Sequence, residues 1–505
     1  MCSIQYQISL TLIFILNGIS VSFTQNEIKD INKLITHQNV YRDMMYLASD
    51  DLRGRKTGEA GNQLAAKYIA DQLGKAGVKH VQGMNDFFQV IPFVKYAPAK
   101  EGKLTINSIP FEINNNMVIL DGGETNISDA DAIYVDFGWI DTATGTDDYK
   151  DLDIRGKYVI AQGGPPTGGS PLEIFASMPK KRAMAKSKGA LGLIELYNMG
   201  FNWGFFRNYF SKERLEVSNE VVGSARLFNS WIQVPTLNEA LKFTRGTTFK
   251  INLHTTGART EDVNAVNVIG VIPGKKKELK DQFEMISAHF DHIGVNAGQR
   301  IGNDSIWNGA RDNAWGTICL INAARYLTRH PADRSILIAA VNGEEIGLLG
   351  SKYLADHPVV PWNKVIFDLN SDGAGYSDTT LVSIIGLNRV GAADEMKRAC
   401  VSFGLSTNGD PAPEQGLFDR SDNVNFAQLG IPSPTFASGF TSFDAAVGKY
   451  YHQAIDNPDN ISYGYLLKFC RAFTLSAVNI ANRISNPRWI PGDKYEPAGK
   501  KLYGY

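Results

Sequence analysis

The chain has no C-x-x-C pair, no H-E-x-x-H and no G-x-S-x-G. The first absence excludes a structural zinc knuckle on thiolates, the second a thermolysin-type zinc helix, and the third the nucleophile elbow of a serine hydrolase. Cysteine is scarce, with four in 505 residues, so no disulfide framework holds the fold. Cys319, Cys400 and Cys470 fall inside apolar helical patterns and read as buried free thiols, with one disulfide at most. Charge of one sign is also missing: 51 lysines and arginines against 52 acids, and no basic block longer than Lys275–Lys277. Nucleic acid is therefore not an expected partner. The one strongly apolar run near the start, Ile8–Leu16, falls short of the ~20 residues a membrane helix needs. Small residues at Ser20, Ser22 and Thr24 follow it, so residues 1–24 read as a signal peptide with a weak n-region, and the product as secreted or periplasmic with no membrane span in the mature chain. No internal repeat or low-complexity tract occurs.

What is present is an ordinary globular composition, 43% hydrophobic, in a chain long enough for two or three domains. GNQLAAKYIADQLGKAGV spaces Leu64, Ala65, Tyr68, Ile69 and Leu73 as a helix and stops at Gly77. From Pro98 to Gly257 the texture changes. Short β-rich runs such as Ala132–Val135 and Lys157–Ala161 alternate with turns such as GGPPTGGSP, which marks a separate β-rich module. From Val266 onward, continuous apolar runs at Phe283–Ser287, Ile336–Val341 and Val365–Leu369 alternate with amphipathic helices such as TICLINAARYL. Runs of this kind suit parallel strands covered on both faces, so the fold class is α/β with a mixed, mostly parallel sheet.

In such sheets ligands bind beyond the carboxyl ends of the strands. The first apolar run leads into AHFDH (Ala288–His292), the second into NGEE (Asn342–Glu345), the third into NSDG (Asn370–Gly373). NGARDNAWG (Asn308–Gly316) precedes a helix, and YYHQAIDNPD (Tyr450–Asp459) comes late. Each residue taken singly has a plainer reading: His289 as a hydrogen-bonded histidine, Asp312 as a helix N-cap, His452 as a surface residue, Glu344-Glu345 as a solubilising pair. Together they supply imidazole and carboxylate, the donor set for zinc, and a carboxylate able to bridge two ions ~3.5–4 Å apart.

Six ordered motifs, AHFDHIG, NGARDNAWG, NGEEIGLLGSKY, DLNSDGAG, RSDNVNFAQLGIP and YYHQAID, resemble the M28 family of zinc aminopeptidases. LASDDLRGRKTGEAGNQLAAKYIADQL resembles that family's N-terminal segment, and DYKDLDIRGKYVIAQGGPP with AMAKSKGALGLIELYN is similar to a protease-associated (PA) domain. The resemblance implies a zinc-dependent exopeptidase fold at 25–97 and 258–486, a PA-like insertion at 98–257, and a tail at 487–505. It implies two zinc ions, with Asp312 bridging, His289 and Asp372 completing one site, and Glu345 and His452 the other. It implies Glu344 as general base and Asp291 as the carboxylate behind His289. The implied substrates are peptides with a free N-terminus. Glutaminyl cyclase, a folate-hydrolase-type carboxypeptidase and a non-catalytic binding protein are the alternatives on this scaffold. Arg311 and Trp315 depart from the family pattern and are the positions expected to reshape the pocket. RSDNVNF is expected beside the pocket, or to cap a helix through Ser421 or Asp422. The ligand set would also accept cobalt or manganese. Oligomeric state, preferred N-terminal residue and use of the sequons at Asn126, Asn303 and Asn460 are left open by the sequence.

Overall fold

The computed structural model describes residues 25–169, 171–200, 202–217, 227–234 and 241–505. The signal-peptide segment and Cys2 lie outside the described residues. The chain divides into two compact units, one of residues up to Ile91 together with Asn264–Tyr505, the other Pro92–Val263. The sequence reading placed the divisions at Pro98 and Gly257. The units divide a few residues outward of these, with both crossings inside strands, Phe88–Ala97 and Arg259–Ile272.

The larger unit is built on a sheet whose strands include β1 (Arg259–Ile272), β2 (Phe283–His289), β3 (Ser335–Val341), β4 (Val365–Ser371), β5 (Leu381–Ile385), β6 (Ser406–Asn408) and β7 (Thr435–Ser438). They stand in the order β1-β3-β2-β4-β7-β5-β6. The β3–β2, β2–β4 and β4–β7 pairs are parallel, whereas β1–β3 and β7–β5 are antiparallel. Every residue of β3 and β4 is buried. That is why these strands read as mainly apolar runs rather than alternating ones.

Helices α1 (His37–Leu47), α2 (Ala60–Ala76), α3 (Trp315–Leu327), α4 (Leu349–Asp356), α5 (Ala393–Ser402), α6 (Asn423–Leu429), α7 (Tyr463–Ala481) and α8 (Glu496–Tyr503) belong to the same unit. α2 ends where the sequence indicated. Gly77 takes φ 97°, a left-handed cap natural to glycine, and the Val78 N–H returns to the Leu73 carbonyl at 3.1 Å. Its Ala65, Ile69 and Leu73 are buried, while Leu64 is exposed.

α3 is buried almost all round. Trp315 packs on Tyr465 and Phe469 of α7 at ring separations of 5.5 and 5.4 Å, and Phe469 packs in turn on Phe436 of β7 at 5.0 Å. Emptying this junction by Phe469→Ala would cost about 3–5 kcal/mol. Cys319, Cys400 and Cys470 are buried free thiols, the first and last with Sγ atoms 3.1 Å apart. The tail beyond Pro487 packs on this unit: Trp489 is buried and donates its indole N–H to the Gly430 carbonyl at 2.9 Å.

The second unit is β-rich. Its eight-stranded sheet includes Thr125–Tyr134, Tyr158–Gln162, Gly192–Leu196 and Thr248–Thr255. The last strand alternates exposed and buried residues along its whole length, as a sheet with one wet face should. An ion pair, Lys181 Nζ to Glu195 Oε2 at 2.7 Å, is fully buried in it.

Candidate metal centre

Three neighbouring parallel strands end at one edge of the sheet, and this places the polar clusters together. His289 is the last residue of β2, Glu344 and Glu345 follow β3, and Asp372 follows β4. Asp312 lies in the turn 310–314 that leads into α3. The approach to that turn needs glycine at Gly309, where φ is 59° and a Cβ would stand 2.6 Å from the His292 ring. Beyond Asp312, the Asn313 side chain donates to the Ser371 carbonyl at 2.8 Å and Thr317 Oγ1 donates to the His289 carbonyl at 3.0 Å. His452 reaches in from the segment before α7 with φ 52°, a conformation that side chains other than glycine and asparagine adopt at a cost and that clusters at functional sites.

The donor atoms converge in two groups that share Asp312. His289 Nε2 lies 3.3 Å from Asp312 Oδ1 and 3.2 Å from Asp372 Oδ1. His452 Nε2 lies 3.3 Å from Asp312 Oδ2 and 3.1 Å from Glu345 Oε2. Donors held at ~2.0–2.1 Å around a tetrahedral zinc stand ~3.3 Å from one another. The spacing and chemistry of both groups therefore suit a divalent ion in each, with one oxygen of Asp312 serving each group.

His292, which the sequence reading passed over, lies in the same cluster with Asp312 and Glu345. Its Nδ1 stands 2.6 Å from Glu345 Oε1. That separation is a hydrogen bond to one Glu345 oxygen while the other lies near His452, and His292, Asp312 and Glu345 form a group that could itself hold an ion.

The charges settle the same way. Burial opposes protonation of His289, but Asp372, Glu344 and its bonds to Asp291 and Asp312 raise its pKa well above the usual imidazole range. His452 is raised to about 10, burial again outweighed, here by Asp312 and Glu345. Burial and Asp312 push Glu345 up, yet the His292 and His452 imidazoles bring it down to about 2. Glu344 behaves oppositely: burial, joined by Asp372, Asp422 and Glu345 against the pull of His289, raises it well above the ordinary carboxyl value. Adjacent acids thus have opposed titrations because they face opposite surroundings.

A layer of buried groups fixes this edge. Asp291 accepts the Glu344 N–H at Oδ1, 3.2 Å, and the Glu345 N–H at Oδ2, 3.3 Å, so it aims both acids as well as lying behind His289. The Thr57 hydroxyl is 3.0 Å from Asp291 Oδ2. Asn342 pairs its amide reciprocally with Asn62, at 2.9 and 3.0 Å. Arg55, fully buried, donates to the carbonyls of Leu47, Phe290, Asn308 and Gly309, tying the segment after β2 to the turn before α3. Burial brings its pKa down to about 10 against the pull of Asp291 and Asp312. Asp456 accepts the Arg311 and Asp312 N–H groups at Oδ2, 2.9 and 3.3 Å. Arg55 and Thr57 stand in the quoted LRGRKTG stretch, but no spacing rule marks an arginine destined for four carbonyls.

Above the acids opens a cavity of about 670 Å³ including its mouth, lined on one side by His289, Asp312, Glu344, Asp372 and His452. The other side is largely apolar, with Ile385, Leu417, Ala437, Phe440, Phe443 and Val447. Arg420 and Ser421 line it too, which puts RSDNVNF beside the pocket; Asp422 sits at the start of α6 without a capping bond from its side chain. The expectation for Arg311 and Trp315 needs correction, because neither lines the cavity. Arg311 is consumed by Asp456 and Asn460 at 2.8 and 2.6 Å and by the face of Tyr450, and Trp315 is consumed by the α3–α7 junction.

Comparison with known proteins agrees with this architecture. The profile of Peptidase family M28 matches residues 267–476. Aminopeptidase YwaD of Bacillus subtilis is 26% identical over 230 residues, 44% of this chain and 46% of that protein. Aminopeptidase Y of Saccharomyces cerevisiae is 28% identical over 210 residues, 40% of this chain and 36% of that protein. The chain thus spans less than half the length of these curated relatives. The aminopeptidase from Aneurinibacillus sp. strain AM-1 superposes over 92% of this chain and 98% of its own, at a TM-score of 0.51 and 22% identity, and shares its fold. The matched segment, under half of the chain, carries β2 to β7 and all the converging donors, so this region is similar to peptidase family M28.

Proposed function

We propose that the chain is a di-zinc aminopeptidase that hydrolyses the N-terminal residue from peptides. The observation that carries this reading is the pair of donor groups sharing Asp312, in each of which the histidine Nε2 stands 3.1–3.3 Å from both carboxylates. His289 and Asp372 would hold one ion, Glu345 and His452 the other, and Asp312 both. Bound there, the ions would supply Lewis acidity toward the scissile carbonyl and acidify the attacking water. Glu344 faces the cavity without belonging to either donor group. It is the base that accepts the water's proton and the acid that returns it to the leaving amine. Asp291 keeps the two glutamates apart in direction through their backbone N–H groups. The carboxylates at the cavity floor favour a substrate α-ammonium, which supports cleavage at a free N-terminus, and the relatives named aminopeptidases support the same class. No helix among the described residues is long and apolar enough to cross a membrane. The β-rich unit is proposed as the PA-like insertion.

The test is hydrolysis of leucine p-nitroanilide by the purified chain, with metal content measured alongside. Two zinc ions per chain, activity abolished by a chelator and restored by zinc, and no cleavage of the N-acetylated substrate are expected. Cyclisation of N-terminal glutamine without peptide hydrolysis, or one ion per chain in the active enzyme, would overturn the reading.

A further inference from the structure

The cavity mouth holds one cation that the chemistry above leaves unused. Arg420 lines the cavity and is exposed, and among the described residues no carboxylate lies within ion-pair distance of it. Its neighbour Asp419 is turned away to Lys494 and to the Tyr495 hydroxyl. Among the described residues the guanidinium approaches a single polar group, the Tyr451 hydroxyl, at 3.5 Å from Nη2. The Tyr451 ring in turn stacks on His452 with centroids 3.9 Å apart and is braced edge-on by Phe443 at 5.8 Å. The tyrosine is therefore a fixed spacer between the candidate metal centre and an unpaired positive charge. Ile385, Leu417, Ala437 and Phe440 of the cavity lining are apolar, so among the described residues Arg420 is its one cationic side chain apart from the histidines of the candidate metal centre.

We infer that Arg420 reads a carboxylate carried by the residue immediately after the scissile bond. This inference rests on the aminopeptidase reading. An extended chain advances ~3.5 Å per residue. A carboxylate one residue beyond a carbonyl held at the donor cluster therefore falls at the scale of the tyrosine ring separating His452 from the guanidinium. A planar guanidinium presents paired donors that match a carboxylate. Two kinds of substrate carry one there: a dipeptide, through its terminal carboxylate, and a longer peptide with an acidic second residue. The apolar wall takes an uncharged N-terminal side chain, so leucine is the probe residue.

The experiment compares kcat/KM for Leu-Ala, Leu-Ala-amide and Leu-Asp-amide in the wild-type enzyme and in Arg420→Gln. An exposed ion pair with bidentate geometry supports a preference of roughly 5- to 10-fold for Leu-Ala over its amide at low salt. That preference shrinks toward unity near ~1 M salt. Arg420→Gln is expected to collapse the acid-to-amide ratio in the same way. Amidation also changes the basicity of the substrate amine, but the variant leaves that effect in place, so the change in ratio isolates the arginine. Leu-Asp-amide tracking Leu-Ala means that a side-chain carboxylate serves as well; tracking Leu-Ala-amide confines the site to dipeptides. Equal wild-type values for acid and amide, or a preference that persists in Arg420→Gln, overturns the inference and leaves the aminopeptidase reading intact. Failure to cleave any of the three overturns both.

Discussion

Replacing Glu344 with glutamine separates base from ligand. The side chain is nearly isosteric, so volume is conserved and the backbone N–H still donates to Asp291 Oδ1 at 3.2 Å. None of the four ligand-scale separations, 3.1 to 3.3 Å, involves Glu344, so the ions should stay. What disappears is the oxygen that accepts the water's proton. A positioned base is worth roughly 10²–10⁴ in rate, or about 2.7–5.4 kcal/mol at ~1.36 kcal/mol per factor of ten. The folded carboxyl is raised by burial and by Asp372, Asp422 and Glu345. Its contribution to stability is therefore fully present below the ordinary carboxyl pKa and is lost as pH rises through the folded value. A neutral amide escapes that loss, so the metal-depleted variant should melt no lower than the metal-depleted wild type at pH 8. The assay is kcat on leucine p-nitroanilide beside zinc content by elemental analysis and Tm by calorimetry. Turnover within tenfold of wild type at full zinc would remove Glu344 as the base. Loss of one zinc would make it a ligand instead.

Asp312→Asn leaves one carbonyl oxygen where two carboxylate oxygens served two groups. Zinc content is expected to fall from two per chain to one, with activity lost; two retained ions would deny the bridge. The raised pKa values of His289 and His452 mean that metal must displace protons. Zinc affinity should thus rise with pH across the neutral range, with proton release measurable by calorimetry in buffers of different ionisation heat; a pH-independent affinity would contradict the charge arrangement. Asp368, buried on β4 with Oδ2 unpartnered, is raised well above the ordinary value by burial. Its stabilising contribution is present below that ordinary value and fades as pH rises, so Asp368→Asn should raise Tm at pH 8 and change it little at pH 4. His292→Phe removes the bond to Glu345 Oε1 while filling the same space, and should weaken zinc binding about 10–100-fold; unchanged affinity would show that Glu345 needs no such support.

The donors were legible because their identities are constrained by chemistry and their positions by topology. A parallel sheet delivers its strand ends to one edge, so polar residues following apolar runs had to meet. The meeting of His289, Glu345 and Asp372, with Glu344 beside them, needed only the strand assignment, whereas their roles came from the resemblance. Asp312 and His452 needed the resemblance, since a turn before a helix and a loop far along the chain have no periodicity to place them. The division between units was read a few residues inward of the crossings, which lie inside strands.

The supporting layer was not legible, for a different physical reason. Arg55 works through carbonyl oxygens, which every residue carries, so no partner type announces it. His292 could have been suspected, being a second histidine within AHFDH, but spacing alone cannot say which imidazole faces an ion and which faces a carboxylate. The structure gives 2.6 Å to Glu345 Oε1 for His292 against 3.1 Å to Oε2 for His452, and on those lengths the proposal takes His452 as the ligand. Arg311 and Trp315 failed in the opposite direction. Their unusual identity beside the bridging aspartate suggested the pocket, whereas Asp456, Asn460 and the α7 aromatics claim them from behind. A large side chain one or three positions from a ligand is as free to face the core as the cavity. The residue that does reach the cavity mouth, Arg420, comes from a motif more than 100 positions later, and its reach depends on the Tyr451 ring, which no pattern in the sequence pairs with it.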